Sequence, residues 1–191
     1  MKVNEVFYSL QGEGARAGAP SIFIRLVGCD LTCGFCDTEF ESGKEMSTDE
    51  IKTFIRQWPC KAIVWTGGEP ALQLTQEIIS EFKAAGYFQA IETNGNHPLP
   101  KGLDWISVSP KVAEHVLAKN FPNGVTELRY VRHAGQVDVP RPSIHAQHYF
   151  LSPMFNGDTP NEANLKACIK LCLEYPQWRL SPQMHKFWKM L

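Results

Sequence analysis

Gly28-Cys29-Asp30-Leu31-Thr32-Cys33-Gly34-Phe35-Cys36-Asp37-Thr38 is the stretch around which the chain is organised. Its three cysteines stand at C-x3-C-x2-C spacing, close enough for one short loop to wrap a small inorganic core. A structural zinc ion takes four protein ligands, whereas a cubane cluster with one open corner takes three. No histidine lies within the loop, and Cys60, Cys168 and Cys172 are far away in sequence. A Cys3His zinc knuckle, or three small buried hydrophobes, are the plainer readings of the same residues.

The rest of the composition narrows the choice. A chain of 191 residues suits a single domain, residues 1–191, with a sizeable core. The formal net charge is −1, with no block of like charges, so the totals carry no footprint of nucleic-acid binding. The start, Met1-Lys2-Val3-Asn4-Glu5, does not read as a signal peptide, and no apolar run is long enough for a bilayer. Six cysteines in such a chain read as metal ligands and core residues rather than disulfides. The expectation is a cytoplasmic protein with neither nucleic acid nor membrane as partner.

Working outward from the loop, residues 21–27 read as a buried strand that delivers the chain into the cysteines. Arg25 is the exception inside it: either an edge residue facing solvent or a buried anion ligand. Before it, residues 3–10 are extended, and Gln11-Gly12-Glu13-Gly14 forms a polar turn in which the backbone can approach a ligand. After it, Ser47-Thr48-Asp49-Glu50 is a capping box opening a helix with Ile51, Phe54, Ile55 and Trp58 at helical spacing. Strands follow at 61–66, 89–93, 104–108, 126–131 and up to 152. A second helix carries Leu74, Ile78, Ile79 and Phe82 on one face. A third, about 161–174, places Leu165, Cys168, Ile169 and Cys172 on one face, which assigns Cys168 and Cys172 to the core.

Strands alternating with helices indicate parallel βαβ units. A full (β/α)8 barrel takes about 250 residues, so the expected fold is α/β: a partial, incomplete TIM-like barrel of about six mostly parallel strands with about three main helices. Its polar, glycine-rich turns fall at the carboxyl ends of strands, where such folds place their sites. Thr66-Gly67-Gly68-Glu69-Pro70 exposes backbone groups at one strand end, with Glu69 adding negative charge. Ser109-Pro110-Lys111 puts a hydroxyl and a cation at another. Taken singly, the first is an ordinary βα turn and the second a helix start with a solvated lysine.

The C-x3-C-x2-C spacing resembles the radical S-adenosylmethionine superfamily. The wider set of motifs is identified as that of the 7-carboxy-7-deazaguanine synthases, enzymes of the queuosine and 7-deazapurine pathway. The set comprises residues 10–14, the 29–38 loop, 66–70, Ile91-Glu92-Thr93-Asn94-Gly95, 108–111, and the tail Trp178-Arg179-Leu180-Ser181-Pro182-Gln183-Met184-His185-Lys186. These pieces span nearly the whole chain in the family's order.

The resemblance implies a [4Fe–4S] cluster on Cys29, Cys33 and Cys36, with its fourth iron chelated by S-adenosylmethionine. An electron from the cluster cleaves the sulfonium and releases a 5′-deoxyadenosyl radical. It further implies conversion of 6-carboxy-5,6,7,8-tetrahydropterin to 7-carboxy-7-deazaguanine with loss of ammonia, S-adenosylmethionine being regenerated. Carried over by position, Thr38 supplies an oxygen to Mg2+. Phe35, Asp37, Gly67, Gly68, Glu69, Ser109, Pro110, Lys111, Ser152, Pro153, Met154 and Phe155 contact the cofactor. Leu10, Gln11, Gly12, Glu13, Arg25, Thr66, His185 and Leu191 form the substrate site, with Arg25 on the substrate carboxylate. Glu92 stands at a strand end without a firm role, and no side chain is assigned as a catalytic acid or base. A flavodoxin-like or other reductant and a homodimer complete the implication.

The chain departs from the family's pattern at two places. Ser152-Pro153-Met154-Phe155 stands where many members have Gln-Pro, and Met184 where many have threonine. Two rival functions remain: an activase making a glycyl radical on a partner protein, and a zinc-binding module without enzymatic activity. Activases follow the third cysteine with His-Asn, where this chain has Asp37-Thr38.

Overall fold

A computed structural model describes residues 1–34, 36, 39 and 41–190. Strand β1 (Lys2–Leu10) leads into β2 (Pro20–Leu26) through the 11–19 turn, and a two-residue β3 (Lys44–Glu45) follows the cysteine loop. Then come α1 (Thr48–Ile55), β4 (Ala62–Gly67), α2 (Gln76–Ala84), β5 (Phe88–Thr93), β6 (Trp105–Val108) and α3 (Glu114–Asn120). The chain continues through β7 (Val125–Arg132), β8 (Ala146–Pro153), α4 (Glu162–Glu174), β9 (Trp178–Leu180) and α5 (Met184–Trp188). The nine strands among the described residues form one sheet in the order β3-β1-β2-β4-β5-β6-β7-β8-β9. Every pair from β2 to β9 is parallel; only β1 with β2 and with β3 runs antiparallel.

The expected α/β partial barrel is what forms. It has more strands than the six expected, because β1, β3 and β9 extend the parallel sheet at its two edges. α3 and α5 are short additions to the three expected helices.

Strand periodicity divides the sheet's two faces. On β2, Ile22, Ile24 and Leu26 turn outward with Ile63, Trp65 and Ile91 into a core under α1 and α2. Val108, Leu117 and Leu128 build the next section, and Leu151, Cys168 and Trp178 the last. The alternate positions point inward: Phe23 and Arg25 on β2, Thr66 on β4, Glu92 on β5, Glu127 and Arg129 on β7, Ser152 on β8. The outward face carries the stability and leaves the inward face to polar chemistry.

Local signals fix the helices. Ser47 and Glu50 form the expected capping box at α1, and Thr75 caps α2. α1 ends at Ile55, short of Trp58, whose ring instead stacks on Tyr8 with centroids 6.0 Å apart. On α4 Cys168 is buried and Cys172 packs against the same core, as expected, but Asn164 and Leu171 are buried with them while Ile169 of the expected stripe is exposed. The helix turns this way because the Asn164 side chain donates to Met154 O at 2.8 Å and accepts from Ala134 N at 2.8 Å.

Candidate active site

The inward face holds two adjoining cavities. One, of about 710 Å3, is lined by Cys29, Cys33 and Cys36 together with Gly67, Gly68, Ser109, Lys111 and residues 152–155. The other, of about 540 Å3, is lined by Leu10, Gln11, Gly12, Arg25 and His185, with Phe7 and Phe23 as a wall. Glu13, Thr66, Glu92, Arg129, Gln183 and Lys186 line both, so they form the partition between the two.

The cysteine cavity is shaped where β2 and β4 end side by side. Gly68 N donates to Leu26 O at 3.0 Å, and Glu69 N donates to Gly28 O at 2.8 Å. These bonds clamp the glycine turn onto the first residues of the cysteine loop. Only glycine fits: a Cβ at position 68 would lie 1.9 Å from Gly28 O. Glu69 itself is fully buried, and its carboxylate accepts from Thr93 Oγ1 (2.7 Å), Asn94 N (2.7 Å) and Ala71 N (3.0 Å). Burial pushes its pKa up, against those hydrogen bonds. Glu69 therefore anchors the turn to the end of β5, and neither it nor Pro110 lines a cavity.

A second tie comes from Asp30, a residue the sequence did not single out. Its carboxylate accepts from Asn94 Nδ2 (3.2 Å) and Asn96 Nδ2 (2.5 Å), and lies 2.8 Å from His97 Nε2. Burial pushes Asp30 up, but the hydrogen bonds of Asn96, His97 and Asn94 outweigh it and hold the carboxyl below its ordinary range. The cysteine loop is thus pinned to the turn after β5 as well as to β4.

Across the cavity, Lys111 Nζ donates to Ser109 Oγ (2.7 Å) and Ser109 O (3.1 Å). Burial pushes this ammonium's pKa down, while the neighbouring Cys33 works the other way. Ser152 Oγ is buried with no hydrogen-bond partner among the described residues. A buried hydroxyl left unpaired costs about 1–3 kcal/mol, so it suits a polar ligand. Among the described residues no three His, Cys, Asp or Glu side chains converge on a point that would hold one metal ion. The donor set is instead Cys29, Cys33 and Cys36 lining one cavity of about 710 Å3, which leaves room for a core larger than a single ion. Phe35, Asp37, Thr38 and Leu191 lie outside the described residues.

The second cavity is built from both ends of the barrel seam. Phe7 and Phe23 face each other across β1 and β2 and stack at 5.0 Å, 9° apart in plane. Arg25 lies over the Phe7 ring at 4.8 Å and donates to Glu5 Oε2 at 2.9 Å. Its side chain is 32% exposed, so it is neither a free surface residue nor a buried one. Opposite, the tail folds over the 11–14 turn: Met184 N donates to Gly12 O at 2.9 Å, and Gly14 N donates to Ser181 Oγ at 2.8 Å. Gly12 has to lack a side chain, because a Cβ there would sit 2.1 Å from His185 Nδ1.

The partition itself contains a charge cluster centred on Arg129, which the sequence reading missed. Arg129 donates to Glu92 through Nη2 and to Glu127 Oε1 through Nη1 at 3.0 Å, with Glu13 Oε2 at 3.6 Å. Gln11 Nε2 donates to Glu92 Oε1 at 2.9 Å. The available signal was Glu127 and Arg129 two residues apart inside a run that otherwise reads as strand, which puts opposite charges on one face.

A parallel partial barrel with three cysteines lining one end of its inner face defines a radical S-adenosylmethionine protein, and residues 23–170 match the Radical SAM superfamily. A 7-carboxy-7-deazaguanine synthase of Bacteroides thetaiotaomicron is 40% identical over 187 residues, 97% of this chain and 96% of its own length. One from Burkholderia multivorans is 38% identical over 210 residues, again 97% of this chain and 96% of its own. The crystal structure of QueE from Escherichia coli shares the fold with a TM-score of 0.74 at 24% identity, covering 96% of this chain and 94% of that one. The chain belongs to the 7-carboxy-7-deazaguanine synthase family. Superfamily membership implies a [4Fe–4S] cluster and S-adenosylmethionine, and the three-thiol cavity wall accommodates them.

Proposed function

We propose that this protein converts 6-carboxy-5,6,7,8-tetrahydropterin to 7-carboxy-7-deazaguanine with loss of ammonia. The observation that carries the reading is the pair of cavities sharing one wall: cysteines, Gly68 and Lys111 on one side, Arg25, Gln11 and His185 on the other. When bound, the cluster and S-adenosylmethionine supply the radical that starts the rearrangement. Cys29, Cys33 and Cys36 hold the cluster. Gly67 and Gly68 present backbone to the methionine portion, and Lys111 and Ser152 offer it a cation and a hydroxyl.

On the substrate side, Arg25 fixes the carboxylate by its planar fork. The stacked Phe7–Phe23 wall accepts a planar ring, and Gln11, Glu13 and His185 read the ring's donors and acceptors. Direction matters here because small misplacements of reacting atoms are costly. The His185-bearing tail forms one side of this cavity.

Mg2+ held through Thr38, a flavodoxin-like reductant and a cytoplasmic homodimer belong to the same reading. No helix among the described residues is long and apolar enough to cross a membrane.

The test is an anaerobic assay of reconstituted protein with 6-carboxytetrahydropterin, S-adenosylmethionine and a reductant, with and without Mg2+. Formation of 7-carboxy-7-deazaguanine without net loss of S-adenosylmethionine is the expected result. A preparation holding zinc but no iron, or one needing a partner protein for any turnover, would sink it. Thr38→Ala is expected to weaken the Mg2+ response and Thr38→Ser to keep it.

A further inference from the structure

One polar group on the inward face ties three others together and has no part yet in the proposed reaction. Arg129 sits on β7 with its side chain only 7% exposed, yet it reaches both cavities. Its two terminal nitrogens divide their work. Nη1 is tied to Glu127, which is 2% exposed and is itself held by Ser107 Oγ (3.1 Å) and Ala15 N (2.9 Å). Nη2 sits between Glu92 on β5 and Glu13 on the 11–14 turn. One guanidinium thus joins three carboxylates that come from three separate segments, and two of those carboxylates line both cavities.

We propose that Arg129 is a positioning residue for substrate: anchored below by Glu127, it holds Glu13 and Glu92 side by side as acceptors for the N–H donors of the substrate ring. This rests on the pterin reading above and adds a determinant of affinity to it. Three carboxylates crowded together without a cation would take up protons, and a protonated carboxyl offers fewer acceptor sites. A guanidinium prevents this while its fixed fork sets their spacing, which a lysine ammonium cannot do.

Other charges face the cluster too. Arg16, in the turn after β1, acts on Glu92 and Glu127, and Lys111 from beyond β6 acts on Arg129 and Glu13. Lys186, from the tail, lines the same partition. Arg129 reaches Glu92 and Glu127 by direct hydrogen bonds. Burial pushes Glu127 up and Arg129 opposes it; burial pushes Arg129 itself down, but the three carboxylates outweigh it and raise it.

The experiment uses reconstituted Arg129→Lys and Arg129→Gln beside wild type, measuring iron content, S-adenosylmethionine affinity, melting temperature, and pterin KM and kcat from pH 6 to 9. Arg129→Lys keeps the charge and loses the fork. It is expected to keep iron and S-adenosylmethionine binding, with KM raised about tenfold and kcat within about threefold, the pattern of lost uniform binding. Arg129→Gln is expected to raise KM by about a hundredfold at pH 7, the scale of breaking a buried charge pair.

A normal KM in Arg129→Lys, or a lowered melting temperature with unchanged KM, overturns the proposal. Failure of both variants to yield folded, iron-loaded protein also overturns it, because Arg129 then serves folding. Wild type that turns over no pterin removes the function reading and this inference with it. Active wild type beside normal variants removes only the inference.

Discussion

Gly68→Ala puts the clamp between the glycine turn and the cysteine loop under direct test. The added methyl carbon would lie 1.9 Å from Gly28 O, 2.5 Å from Gly28 C and 3.2 Å from Cys29 N, all of them backbone atoms. No side chain can rotate away, so the two strand ends have to part. Parting breaks Gly68 N to Leu26 O and Glu69 N to Gly28 O, about 1 kcal/mol net apiece. Overpacking adds about 1–3 kcal/mol. The sum, about 3–5 kcal/mol, is a large share of a stability that is commonly about 5–15 kcal/mol. For a domain of this size it corresponds to a fall of about 6–20 °C in melting temperature.

The displacement falls on Cys29, so bound iron should fall with it. Gly86→Ala is the control: its φ is +79°, but a Cβ there meets nothing within 4 Å. It should cost only the left-handed strain of about 1–2 kcal/mol and leave iron unchanged. Calorimetry and iron and sulfide analysis of the two variants decide the matter. Gly68→Ala with full iron and a melting temperature no lower than that of Gly86→Ala would refute the clamp.

Three further outcomes are expected. Asp30→Ala, which frees the cysteine loop from Asn94, Asn96 and His97, should weaken S-adenosylmethionine binding and speed cluster loss in air, while Glu77→Ala on the solvent side of α2 does neither. Arg25→Lys should turn over less pterin while still cleaving S-adenosylmethionine slowly without product; normal product formation would remove Arg25 from the carboxylate site. The third concerns pH. Burial pushes the Cys168 thiol up to about 11 from 9.0, so above pH 9 the unfolded chain loses this proton while the folded one keeps it. Its contribution is complete below pH 9 and is lost as pH rises to 11, about 1.4 kcal/mol per unit. Melting curves from pH 8 to 11 should therefore fall more steeply for wild type than for Cys168→Ala.

What the sequence made legible was local. The capping box of α1, the strands entering the cysteine loop and the glycine turn after β4 are each written in a few neighbouring residues. The antiparallel edge at β1 and the two-residue β3 were not, because pairing across an edge depends on partners far along the chain. Motif order gathered Arg25, Gln11 and His185 into one list, but only the fold of the sheet shows them around a single cavity. Glu69 reads as charge offered to a cofactor; its burial under Thr93 and Asn94 comes from the register of β5 beside β4. The α4 face was misjudged by one turn of reasoning: apolar spacing favoured Leu165 and Ile169, whereas two hydrogen bonds draw Asn164 inward. Arg129 was missed for the converse reason, since a charge inside a strand gains meaning only when the partners opposite it are known.

The bond from Gly14 to Ser181 joins residues 167 apart in the chain, and this sets a timetable for synthesis. At about 5–20 residues per second, the 11–14 turn leaves the ribosome roughly 8–33 s before the segment that covers it. The cysteine loop and the clamp from β4 are complete long before that. During this interval the nascent chain has the cysteine loop and its clamp but lacks Gln183 and Lys186, which line both cavities. The wall that the two cavities share is therefore among the last parts of the chain to be made.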